Sequence, residues 1–431
     1  MSGPAPVPQA RASARQVAAV VAGNALEFYD FLTYSFFAVQ IGGTFFPSHD
    51  AGASLLASLA TFGAGFLTRP VGALVIGRFA DRAGRKPAML LSFGLMGAAI
   101  IGLALTPSYR AIGVAAPILA IVFRLLQGFA LGGEVGPSTA YLVEAAPPNR
   151  RGLYVSMQYM GQDSAVLAAG LIGVGLSGVM GADALRDWGW RIAFLAGAVI
   201  VPFGLMLRRG LTETLHVAEP AAAAAASARP YLRVALLGLA MLAGGTTVSY
   251  VLDYLTTYAT ATLHMPAQVA FGATVVLGVT GLAFDPIGGW LSDRFGRKPM
   301  MIGPWCVLLA MIVPCFWAIS HFRTPLALFG AAAVMTAAAN IAGASVLVAV
   351  TEALPRRVRS GTLALVYALA ISVFGGSAQF NVAKLTLMTH NPLAPAFYMA
   401  AGVAMGLAAM LGMRETAPRA EFAGQTRVDR Q

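Results

Sequence analysis

Apolar stretches of about 20 residues, each long enough to cross a bilayer as a helix, follow one another from Val17 to Met413 with only brief polar breaks. That succession leaves no room for a soluble domain. Of the 431 residues, 58% are apolar and 11% charged, with a mean hydropathy of +0.72, whereas soluble domains carry about a quarter charged residues. The spacing predicts spans at 17–42, 52–79, 88–107, 112–141, 152–180, 190–208, 232–259, 267–291, 300–321, 326–350, 361–389 and 393–413. The expected fold class is an all-α membrane protein of twelve transmembrane helices.

The net charge of +11 carries meaning only through its location. Basic residues gather at alternate breaks: Arg11 and Arg15; Arg78, Arg82, Arg85 and Lys86; Arg150 and Arg151; Arg208, Arg209, Arg229 and Arg233; Arg294, Arg297 and Lys298; Arg356, Arg357 and Arg359; Arg414, Arg419, Arg427 and Arg430. The positive-inside rule then places both termini in the cytoplasm, and the basicity calls for no nucleic-acid partner. Residues 210–231 contain two prolines and six consecutive alanines, so they read as a cytoplasmic linker. It separates six-helix bundles at 17–209 and 232–413, with cytoplasmic tails at 1–16 and 414–431. The first tail is polar, and the helix after it carries Glu27 and Asp30 without a small-residue cleavage site, so no signal peptide is expected. Cys306 and Cys315 lie ~13 Å apart along one helix, too far for a disulfide.

The halves repeat one another. Gly77-Arg-Phe-Ala-Asp81-Arg82-Ala-Gly84-Arg85-Lys86-Pro87 recurs as Gly289-Trp-Leu-Ser-Asp293-Arg294-Phe-Gly296-Arg297-Lys298-Pro299, Glu144-Ala-Ala-Pro147 as Glu352-Ala-Leu-Pro355, and Glu213-Thr214 as Glu415-Thr416. Two halves of the same orientation are the parallel-repeat plan of transporters that bind substrate between bundles near the midplane.

The Gly-x-x-x-Asp-Arg-x-Gly-Arg-Lys-Pro signature resembles that of the major facilitator superfamily. Gly23-Asn24-Ala-Leu-Glu27-Phe-Tyr-Asp30-Phe31, Arg69-Pro70-x-Gly72, Arg124-Leu-Leu-Gln127-Gly128-Phe129, Gly132-Gly133-Glu134 and Asp187-Trp188-Gly189-Trp190-Arg191 are similar to the metabolite:proton symporter family, over essentially the whole chain. Residues 187–214 and the Leu-Ser-Asp-Arg-Phe-Gly-Arg-Lys-Pro stretch look most like the citrate and related tricarboxylate symporters. The resemblance implies two six-helix bundles related by a pseudo-two-fold axis, alternating access, and no cofactor. It also implies a latch pairing Arg82 or Arg85 with Glu144, and Arg294 or Arg297 with Glu352, supported by Asp81 and Asp293. Headgroup contact and topology are the simpler reading of the same cations.

Glu27, Asp30, Arg69, Arg124, Glu134, Asp163, Asp253, Asp285 and Lys384 fall within predicted spans. A charge at bilayer centre costs ~2.5–3.5 kcal/mol on insertion scales, so such residues mark a functional pathway by default. Counting ~1.5 Å per residue puts Glu27, Asp30, Arg124 and Asp163 nearest the midplane. Asn24, Glu27, Asp30 and Tyr34 make one polar stripe over about a third of their helix. Arg124, Gln127 and Glu134 share a face, with Glu134 ~15 Å nearer the cytoplasmic end, where it suits a gate.

The planar fork of arginine matches a carboxylate, which makes Arg124 the expected substrate anchor. A structural pair with Glu27 or Asp30 is the alternative. Arg69 suits a gate, an ion pair or substrate contact. Lys384, with Gln379 and Asn381 nearby, either supplies a second cation or snorkels outward. Tyr250 stands near Asp253 as a wall residue or aromatic packing, and Asn340 is a ligand contact or a helix contact. A desolvated carboxylate beside an arginine can change protonation as a site opens and closes. Glu27 and Asp30 are the first proton-coupling candidates, followed by Asp163, Asp253 and Asp285; Asp285 is also grouped with the gate.

No His-Glu-x-x-His, Gly-x-Ser-x-Gly or phosphate-binding loop is present, and the histidines are scattered, so neither an enzyme nor a metal site is expected. No long selectivity-filter loop argues for a channel. The expected function is proton symport of a small di- or tricarboxylate such as citrate, by a monomer in a bacterial inner membrane. Proline or betaine, 2-oxoglutarate and shikimate are the alternative substrates.

Overall fold

Lipid offers no partner to a backbone N–H or C=O, so a chain this apolar pairs them within helices. The computed structural model describes residues 14–83, 85–132, 142, 146–147, 149–198, 231–354 and 356–417. The first half comprises α1 (Ala14–Phe36, continued by Ala38–Phe45), α2 (Ala51–Leu67, continued by Arg69–Ala83), α3 (Arg85–Leu105), α4 (Ala115–Leu131), α5 (Arg151–Val179) and α6 (190–198). The second comprises α7 (Leu232–Thr262), α8 (Ala267–Phe295), α9 (Arg297–Phe322), α10 (Pro325–Ala353), α11 (Arg356–Ala370, through a π-helical turn into Gly376–Thr389) and α12 (Ala394–Gly412). Among the described residues, eight helices are long and apolar enough to cross a membrane, and parts of α3 and α4 are shorter apolar helices. The described part of every predicted span falls on one of the twelve, whereas 133–141 of the fourth span, 199–208 of the sixth, the linker up to residue 230 and the outer parts of both tails lie outside the described residues.

Within the first half α1 packs on α5, and α4 on α2 and α3; within the second, α10 packs on α8 and α9, and α12 on α7 and α9. Two seams join the halves, α5 against α8 and α2 against α11. Glycine lets these backbones meet, as small residues do in membrane interfaces. A Cβ on Gly152 would stand 2.5 Å from the Gly289 carbonyl oxygen, and one on Gly278 2.5 Å from the Leu167 nitrogen. Cys306 and Cys315 are free thiols, the first exposed and the second buried.

The break in α2 follows from Pro70. Proline has no N–H to give the carbonyl four residues back, which here is Phe66. The Phe66 carbonyl instead takes the Thr68 N–H and the Ser372 hydroxyl of α11, the latter at 3.1 Å. Thr68 donates its own hydroxyl to the Leu125 carbonyl of α4 at 2.6 Å. The interruption thus ties α2 to α4 and α11 and sets Arg69 at the start of the continuing helix.

Candidate functional site

Two arginines share one aromatic ring at the centre of the first half. The Arg124 guanidinium carbon stands 4.3 Å from the Phe31 centroid, and that of Arg69 stands 4.4 Å from the same ring. Tyr34 and Phe62 lie 4.5 and 5.1 Å from Arg124, and Phe66 lies 4.4 Å from Arg69. Arg124 is 0% exposed and Arg69 7%. Arg124 Nη1 donates to Gln127 Oε1 at 2.6 Å and Nη2 to the Phe62 carbonyl at 3.4 Å. Nε of each arginine, Nε2 of Gln127 and the Tyr34 hydroxyl have no partner. Among the described residues no carboxylate pairs with either guanidinium. Aromatic faces give each cation up to ~2 kcal/mol when desolvated, but an uncompensated buried charge costs about 3–5 kcal/mol. Two such charges side by side suit an anion.

The second half closes this box. Tyr250 of α7 meets Phe62 and Phe66 at centroid distances of 6.0 and 5.5 Å. Gln379 of α11 donates to the Tyr250 carbonyl at 3.2 Å and accepts the Ser35 hydroxyl of α1 at 2.8 Å. Beyond Tyr250 lies a cavity of about 130 Å³ between the halves. Phe28, Tyr159, Gln162 and Asp163 line it from the first half, and Tyr250, Asp253, Asn340 and Tyr367 from the second. Asn340 Nδ2 donates to Asp163 Oδ2 at 2.7 Å.

At the basic end, Asp293 accepts the Gly152 and Leu153 N–H groups at the start of α5, both at 2.9 Å. A helix N-terminus is a natural seat for a carboxylate. Arg297 bonds Asp293 at 2.7 Å and Glu352 at 3.2 Å, and Arg151 reaches Glu352 from the other half at 3.3 Å. Glu415 accepts the backbone N–H groups of Arg297 and Lys298 at 2.9 Å each. Burial acts to raise the Glu415 carboxyl, but hydrogen bonds from the backbone of Ala417, Lys298, Arg297 and Thr416 win and hold it below the usual carboxylate range.

The structure therefore brings Arg124, Gln127, Tyr34, Arg69 and Tyr250 together, and separately Asp163, Asp253, Asp285 and Asn340. Asn24 instead donates to the Gln158 carbonyl of α5 at 2.9 Å. Asp30 is buried beside Gly197 and Tyr29 with Oδ1 unpartnered. Lys384 is exposed over Phe380, at 6.0 Å, and is not in the cavity wall. Arg82 is exposed, and Arg294 lies beside Trp290 and Phe295. The side chains of Glu27, Asp81 and Arg85, and Glu134 and Glu144 entirely, lie outside the described residues. Phe31, Phe62 and Phe66 were not singled out by charge, although Phe62 and Phe66 are one helical turn apart just ahead of Arg69.

The sequence pattern of the Major Facilitator Superfamily matches residues 27–379. The chain belongs to the major facilitator superfamily. Superfamily membership makes it a multi-pass membrane transporter, not an enzyme. It is 35% identical over 398 residues to the citrate-proton symporter of Klebsiella pneumoniae, covering 90% of this chain and 89% of that protein. It is 36% identical to the alpha-ketoglutarate permease of Escherichia coli K12, over 86% and 88% of the two chains, and 31% to its proline/betaine transporter, over 94% and 84%. The crystal structure of a D-xylose-proton symporter superposes with a TM-score of 0.74 at 19% identity, over 94% of this chain and 98% of that one. That likeness bears on the fold, which is two six-helix bundles.

Proposed function

We propose that this superfamily member is a proton-coupled symporter that takes up a small di- or tricarboxylate such as citrate by alternating access across a bacterial inner membrane. One observation carries the reading: Arg69 and Arg124 are buried on a shared aromatic ring without a carboxylate counter-ion among the described residues. Their unpartnered Nε groups, with Gln127 Nε2 and the Tyr34 hydroxyl, are donors for such an anion. Tyr250 stands both in the box and in the cavity wall, so its displacement would join the two. The Asp293–Arg297–Glu352 network, which crosses to α5, acts as the gate at the cytoplasmic side. The names of the citrate and alpha-ketoglutarate relatives support the substrate class.

A zwitterionic osmolyte is the second reading. The cluster of aromatic faces suits a quaternary ammonium, and a proline/betaine transporter is among the relatives. Counterflow in proteoliposomes separates the two. Labelled citrate and 2-oxoglutarate are expected to exchange, and shikimate to exchange weakly, because a single carboxylate engages one of two cations. Exchange of betaine or proline alone would replace the carboxylate reading.

A further inference from the structure

Two carboxyl groups come together at the seam between the halves, and among the described residues no cation pairs with either. Asp163 of α5 presses on Gly281 of α8, where a Cβ would overlap its Oδ2. Asp285, one helical turn beyond Gly281 on the same face of α8 and 1% exposed, lies beside Asp163 and the Asn340 amide. Among the described residues neither oxygen of Asp285 completes a hydrogen bond. Asn340 of α10 donates to Asp163. Asp253 of α7, Tyr367 of α11, and Tyr159 and Gln162 of α5 complete the surroundings as titratable or polar members of the same cavity wall. Asn24 of α1 is engaged with Gln158, and the side chain of Glu27 lies outside the described residues. No lysine or arginine among the described residues pairs with Asp163 or Asp285.

Two carboxylates in contact repel unless a proton lies between them. Two neighbouring buried carboxyl groups relieve that repulsion by sharing a proton, and the described residues hold no group of ligands fit for a metal ion. The cavity next to Asp163 holds further polar groups. Thr336, 4% exposed, lines the cavity with its hydroxyl unpartnered, as does Gln162 Nε2. Unpartnered polar atoms facing one cavity are seats for water, and Asp163 belongs to the same wall. Pro286 removes one helical hydrogen bond next to Asp285, which leaves that turn of α8 freer to move.

We infer that Asp163 and Asp285 form a proton site across the α5–α8 seam, where one shared proton holds the two halves together and its departure sets like charges against each other and opens the seam. Asp163 reaches the cavity and exchanges the proton; Asp285 is its sealed acceptor. The role in transport rests on the symport reading, but the site itself can be tested without substrate.

The experiment is hydrogen–deuterium exchange of the purified full chain in lipid nanodiscs, read at the amides opening α5 and corrected for the intrinsic pH dependence of exchange. Wild type is expected to lose protection there as pH rises from mildly acidic to mildly alkaline. Asp163→Asn and Asp285→Asn, which keep a hydrogen bond at the seam but cannot ionise, should stay protected throughout; Asp285→Glu should restore the pH dependence with a shifted midpoint. In proteoliposomes Asp285→Asn should retain exchange counterflow and lose accumulation against a gradient. Equal pH dependence in wild type and Asp285→Asn, or none in wild type, overturns the proton site. Intact pH dependence with no carboxylate counterflow overturns only the substrate assignment.

Discussion

Arg124→Gln is expected to weaken carboxylate binding about 100-fold while the protein still elutes as a single folded species. A hydrogen bond to a charged group contributes ~1.5–3 kcal/mol, a guanidinium fork presents two, and ~3 kcal/mol corresponds to roughly two orders of magnitude in affinity. Glutamine can occupy the space and keep a bond toward Gln127, so packing around Phe31, Tyr34 and Phe62 survives. Arg124→Lys should recover part of the loss, since a point charge replaces the fork. Titration calorimetry on purified protein reads the effect. Unchanged affinity in folded Arg124→Gln would remove Arg124 as the anchor.

Gly128→Val is expected to cut the yield of folded, monodisperse protein by about an order of magnitude or more. Overpacking costs ~1–3 kcal/mol, and more when the obstacle is backbone that cannot rotate away. A Cβ at Gly128 would overlap the Gly65 carbonyl, one at Gly72 the Phe129 carbonyl, and one at Gly132 the Arg69 carbonyl. All three lie on the α2–α4 interface, which also positions Arg69 and Arg124. Any variant that forces these helices apart therefore dissolves the cation pair along with the fold. Gly330→Val on α10, where nothing lies within 4 Å of the added Cβ, should keep the wild-type yield in fluorescence-detected size-exclusion chromatography. Equal yields for the two would contradict the packing account.

What was legible in the sequence followed from short-range regularities. Span length, alternating basic breaks and the recurrence of Gly77–Pro87 at Gly289–Pro299 are properties of the chain itself, and the described part of each predicted span lies on a helix. Arg124 and Gln127, three apart on one helix, were placed on a shared face, and they bond at 2.6 Å. The partners contributed by other helices were less legible. Asn24, Glu27, Asp30 and Tyr34 cover about a third of α1, a stripe wide enough to meet several neighbours. Asn24 turns to α5, Asp30 to α6 and Tyr34 to Arg124, so among the described side chains Arg124 is met by rings and not by Asp30. The contact of Asp163 with Asp285 depends on the register of α5 against α8, which no single helix encodes. Lys384 stood out because lysine is rare here, and rarity says nothing about direction; its side chain points outward.

The most direct test of proton-coupled carboxylate uptake is accumulation in proteoliposomes under an imposed pH gradient, acidic outside, with labelled citrate as the probe. The account predicts uptake beyond equilibrium that collapses on adding a protonophore and is absent in Arg124→Gln. Uptake that only equilibrates, with the same rate and extent whether or not the gradient is present, would contradict it.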